Sequence, residues 1–120
     1  MALIAAVAVV LVASLHAYFL VLEMFLWQRD STRKTFQTSV EFARDSARMA
    51  ANQGLYNGFL SAGLIWSLIA YGPTGGRAII GFFLACVIVA GLYGAATVNR
   101  RILVVQALPA AIAMGLIWLV

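Results

Sequence analysis

The stretch "ALIAAVAVVLVASLHAYFLVLEMFLW" occupies residues 2–27 and holds one charged side chain, Glu23. About 20 apolar residues in a helix cross a hydrocarbon core of ~30 Å, so this run is long enough to span a membrane. No Lys or Arg precedes it, whereas a secretory signal has a basic start and an apolar run of only ~7–15 residues. It reads as a retained transmembrane helix, with Trp27 as an interfacial anchor.

The rest of the chain repeats the pattern. Of 120 residues, 64% are hydrophobic and 10% are charged, against ~25% charged in soluble domains. So little charge cannot cover the apolar surface, and lipid must serve as solvent. Helices are expected over about 2–27, 46–70, 78–98 and 102–120. "YGPTGG" at 71–76 has the Pro and Gly of a turn, and "NRR" at 99–101 is a short link. Short links make antiparallel neighbours. The expected fold is an all-α membrane protein, a four-transmembrane-helix antiparallel bundle forming one integral-membrane domain over residues 1–120. Pro109 removes one backbone hydrogen bond inside the last helix and should kink it. The polar segment at 28–47 reads equally as a solvated connector or as a segment partly at the membrane surface through Phe36, Val40 and Phe42. Gly54 and Gly58, like Gly91 and Ala95, have the spacing that lets helices approach closely.

The net charge of +4 belongs to loops facing anionic lipid rather than to nucleic-acid binding. Arg29, Arg33, Lys34, Arg44 and Arg48 flank or fill the first loop, and Arg100 and Arg101 the third; Arg77 stands alone on the other side. That bias puts loops 1 and 3 in the cytoplasm and both termini outside. The single cysteine, Cys86, forms no intrachain disulfide.

One stretch sits awkwardly in lipid. "RMAANQGLYNGFL" at 48–60 carries Arg48, Asn52 and Tyr56 at spacings of four, on one helix face, with Gln53 and Asn57 as a second line. Unpaired amides cost several kcal/mol in hydrocarbon, so they must face protein, water or a head group. Glu23 is an intramembrane acid and needs a partner; Arg48 is the expected one. His16 shares a helix face with Glu23, but a lone His gives no metal site. Tyr93 near the end of the third helix and Gln106 in the fourth bring polar groups to the same level. The candidate ligand-binding set is Arg48, Asn52, Tyr56, Glu23, Tyr93 and Gln106. No catalytic motif is present. Two readings stay open: a ligand site, or a hydrogen-bond network that holds the helices together.

Four stretches, "LHAYFLVLEMFLW" (15–27), "AANQGLYNGFL" (50–60), "CVIVAGLYGAATV" (86–98) and "VVQALPA" (104–110), resemble the small bacterial membrane proteins grouped as domain of unknown function 1304. That resemblance implies a bacterial plasma (inner) membrane and no particular activity. More distantly, residues 48–60 resemble the second-helix signature of the MAPEG superfamily, membrane-associated proteins in eicosanoid and glutathione metabolism. Arg48, Asn52 and Phe59–Leu60 match it, and Leu55 stands at its acidic position. "VVQALPAAIAMGLIW" (104–118) is similar to the start of that superfamily's fourth helix. The resemblance implies a trimer that holds glutathione or a lipid between subunits on the cytoplasmic side, with Tyr93 as a helix-3 tyrosine. Thiol addition to a lipophilic electrophile is the reaction class it implies. Two alternatives stand beside it. A non-catalytic accessory subunit would use the polar cluster only as cement. A small multidrug-type transporter would exchange protons on Glu23, and the one-sided charge distribution opposes the dual topology such transporters use.

Overall fold

A computed structural model describes residues 1–120 and contains only helices. They are α1 (Ala2–Met24), α2 (Asp30–Phe36), α3 (Val40–Asp45), α4 (Ala47–Gly75), α5 (Arg77–Thr97), a π-helical turn (Leu103–Ala107) and α6 (Leu108–Trp118). Two of these are long and apolar enough to cross a membrane: α1, with mean hydropathy 2.4, and α5, with mean hydropathy 2.3. Leu103–Trp118 is a shorter apolar helix. α4 is the longest element, and its first turns carry the polar side chains Arg48, Asn52, Gln53 and Asn57.

The chain divides into two compact units, one made of Met1–Ser14 and Leu60–Val120, the other of Leu15–Phe59. The core of the first unit draws on four helices. α1 supplies Ala5, Val9, Val12 and Ala13, α4 supplies Leu64, α5 supplies Ile80, Leu84 and Val87, and α6 supplies Ala110, Ala113 and Ile117. The α1 set recurs every three to four residues, which puts it on one face. Outward positions are equally apolar: Leu3, Ile69, Phe82 and Val89 are exposed. A helix that is apolar all round is suited to lipid or to a large core.

Backbone breaks follow local chemistry. Helical geometry in α4 fails at Gly72, which has φ 72° and ψ 174°. Pro73 follows, and an X–Pro step disfavours the helical region for the residue before it. The break lies inside the stretch expected to turn, and helical bonding resumes with Gly76 N–H donating to Gly72 O at 2.9 Å. Buried Ser67 donates to Gly76 O at 3.4 Å. The last helix is not simply kinked at Pro109. Leu108 N–H reaches back to Leu103 O, five residues earlier, so the wide turn precedes the proline and Pro109 falls in the first turn of α6. Ala107 and Leu108 both keep right-handed helical geometry, so the helix is continuous there, and the wide turn accommodates a residue that cannot donate.

Small residues set the spacing between α5 and this turn. A Cβ added at Gly91 would lie 2.8 Å from the Ala107 backbone nitrogen and 3.0 Å from its Cα. Backbone cannot move aside as a side-chain tip can. At Gly115 an added Cβ meets nothing within 4 Å. Gly91→Ala should therefore destabilise the protein by about 1–3 kcal/mol, while Gly115→Ala should leave stability unchanged or raise it by up to about 1 kcal/mol through helix propensity. Thermal unfolding of the two variants in detergent checks this; equal melting temperatures would contradict the packing described.

Candidate functional site

The polar side chains of the second unit, Leu15–Phe59, sort into an inward and an outward set. Inward lies Glu23, only 2% exposed. Its two carboxylate oxygens accept from the side-chain amides of α4: Gln53 Nε2 donates to Oε2 at 2.6 Å, and Asn57 Nδ2 to Oε1 at 2.5 Å. Gln53 and Asn57 are four residues apart, so one helix face presents both amides to one carboxylate. A buried carboxyl group needs hydrogen-bond partners for its oxygens, and these two amides supply them.

Glycines make this reach possible. A Cβ at Gly54 would lie 2.9 Å from Met24 Cγ, 3.0 Å from Glu23 Cβ and 3.2 Å from Leu20 O. A Cβ at Gly58 would lie 2.5 Å from Leu20 Cδ1. The amides of Gln53 and Asn57 and the glycines Gly54 and Gly58 thus form adjacent lines on α4, and together they face Leu20, Glu23 and Met24. His16, fully buried, meets Phe19 edge-on with ring centroids 5.7 Å apart.

The connector closes the unit. Gln37 adopts a left-handed conformation, φ 58° and ψ 46°, which ends α2, and Ser39 caps α3 by accepting from Phe42 N–H at 3.1 Å. Trp27 Nε1 donates to Ser46 Oγ at 3.1 Å, and its ring lies against Phe36 with centroids 5.0 Å apart. Phe36 is therefore directed into the unit, while Val40 and Phe42 are exposed.

Outward lies the other line of α4. Arg48, Met49, Asn52, Gln53 and Tyr56 line an open depression, and Tyr56 stacks edge-on against Phe59 at 5.6 Å. The expected Glu23–Arg48 pair does not form. The ion pairs present are Arg33–Asp30 and Arg44–Asp45, and Glu23 is occupied by the two amides. The reason is angular: Arg48, Asn52 and Tyr56 share the exposed face of α4, about 100° around from Gln53 and Asn57. Three of the six expected site residues, Arg48, Asn52 and Tyr56, thus come together, and Glu23 stands behind them through Gln53. Tyr93 and Gln106 belong to the other unit. There Tyr93 is exposed beside Phe82, Ala85, Cys86, Val89 and Ala90, and Gln106 lies half-buried in the π turn. Gln53 and Asn57 stood outside the expected binding set although their spacing of four and their flanking glycines marked the contact face.

The family described as "Protein of unknown function (DUF1304)" matches residues 10–118. The chain belongs to this family. All four stretches that carried the resemblance fall inside the matched span. The chain is also 32% identical over 98 residues to "Uncharacterized protein YpaA" of Lactococcus lactis subsp. lactis (strain IL1403), covering 80% of this chain and 81% of that protein. No solved structure matches.

The two sets of side chains should respond differently to truncation. Glu23→Ala strands two amide donors and should lower stability by about 2 kcal/mol, with Glu23→Gln losing less because one acceptor remains. Arg48→Ala removes an exposed side chain with no ion-pair partner and should fall within about 0.5 kcal/mol of the parent. Chemical or thermal unfolding in detergent distinguishes them; a large loss in Arg48→Ala would reinstate the salt bridge.

Proposed function

We propose that the protein is a four-span membrane bundle that binds the polar head of an amphipathic ligand on the Arg48–Asn52–Tyr56 face of α4. The observation that carries this reading is that Arg48 has no carboxylate partner and lines a depression with two amides and a phenol. A cation and neutral donors at one level suit an anionic head group. Met49 and Tyr56 add apolar surface for the chain below it.

Helix length supports a third span: from Ala47 to the break at Gly72, α4 is ~38 Å long at 1.5 Å per residue. Leu103–Trp118, at ~24 Å, is shorter than a ~30 Å core, and its place as a fourth span rests on its apolar composition. In this reading loops 1 and 3 are cytoplasmic, both termini are outside, and the head-group face lies in the cytoplasmic half of a bacterial plasma membrane. The MAPEG-like signature adds a homotrimer, with glutathione or lipid as the ligand between subunits. The multidrug-transporter alternative is weaker, because both Glu23 oxygens are already held by α4. An accessory, non-catalytic role is favoured by one observation: the Glu23–Gln53–Asn57 contacts are complete without any ligand.

Native mass spectrometry of the detergent-purified protein, with added phospholipid and with added glutathione, tests the proposal. The expected result is an oligomer that retains added ligand mass, with occupancy lost in Arg48→Ala while the subunit number stays the same. Equal occupancy in the parent and Arg48→Ala would overturn the binding site and leave the accessory role.

A further inference from the structure

We infer that Glu23 fixes the polarity of the Gln53 amide, and that the Arg48 face therefore selects an anionic phosphodiester head group that also carries hydroxyl donors. The inference rests on the reading of that face as a head-group site. Gln53 has two neighbourhoods at once. It lines the depression beside Arg48, Asn52 and Tyr56, and its Nε2 donates to the buried Glu23 at 2.6 Å.

A free glutamine is ambiguous. It can flip its amide and offer a ligand either a donor or an acceptor. Here the flip is blocked. Turning Oε1 toward Glu23 would set an amide oxygen against a carboxylate oxygen, and Asn57 already donates to the other oxygen of that carboxylate. The amide nitrogen is thus directed inward with one N–H on Glu23, its second N–H remains a donor, and Oε1 accepts no hydrogen bond from within the chain. Gln53 lines the depression with its amide held by Glu23, and so brings an acceptor of fixed identity, Oε1, close along α4 to a cation, Arg48. Asn52 contributes an amide of either polarity and Tyr56 a hydroxyl.

A head group that satisfies this arrangement needs negative charge for Arg48 and a donor for Gln53. A phosphodiester bearing glycerol hydroxyls has both. A phosphodiester of the same charge bearing only a methyl group satisfies Arg48 and brings no donor to Oε1. Glu23 touches no ligand in this scheme. It is a positioning residue that acts through Gln53.

The test compares phosphatidylglycerol with phosphatidylmethanol of identical acyl chains, titrated into the full-length protein in detergent and read by native mass spectrometry. The parent should favour phosphatidylglycerol by about fivefold, the ratio expected of one net hydrogen bond. Gln53→Met keeps the side-chain length without the acceptor and should bring the ratio to about one, with phosphatidylmethanol binding retained. Glu23→Gln releases the amide to flip and should reduce the ratio without abolishing binding. Equal affinity of the parent for the two lipids would overturn the inference and leave the head-group site standing. Failure of the parent to bind either lipid, or binding unchanged in Arg48→Ala, would overturn the underlying reading instead.

Discussion

A carboxylate buried among apolar helices must be hydrogen-bonded, and that requirement organises the unit Leu15–Phe59. Glu23 is removed from water, and burying an unpaired polar group is costly. Two α4 amides meet it. Gly54 lets the α4 backbone close on Glu23 Cβ and Leu20 O, and Gly58 leaves room for the Leu20 side chain. Chemistry and shape are thus one constraint: the hydrogen bonds require the close approach, and the close approach requires positions without side chains.

The same pairing decides what the opposite face of α4 has available. An acid and an arginine at similar depth in two helices would be expected to neutralise each other. With the acid held by neutral amides, the arginine has no ion-pair partner within the chain. Arg48 shares its depression with Asn52, Gln53 and Tyr56, and this grouping is what the proposed head-group site rests on.

The unit Met1–Ser14 with Leu60–Val120 follows a different logic. Its core is made of Ala, Val, Leu and Ile, and its irregularities are backbone solutions rather than polar ones. Away from water every backbone group needs an internal partner. The i→i−5 bond from Leu108 to Leu103 keeps that partnership through a turn where Pro109 cannot donate. Gly91 then accommodates the backbone of Ala107 at that wider turn.

Composition and local pattern were enough to determine the helical class, the two long apolar helices, the break at the Gly–Pro cluster and the family. Each rests on the length of apolar runs or on residues whose backbone preferences act locally. Periodicity also placed Arg48, Asn52 and Tyr56 on one face, since a helical repeat needs no tertiary information. Which face turned inward was settled by packing. Charge alone pointed Arg48 at Glu23, but a partner is chosen by the rotation of one helix against another, and that rotation is set by where Gly54 and Gly58 permit contact. The connector shows the same limit: Phe36, Val40 and Phe42 looked equivalent in the sequence, yet Phe36 packs on Trp27 while the other two stay exposed. Nor does a sequence show a π turn ahead of Pro109, because the extra residue it accommodates depends on the Gly91 backbone packed beside it.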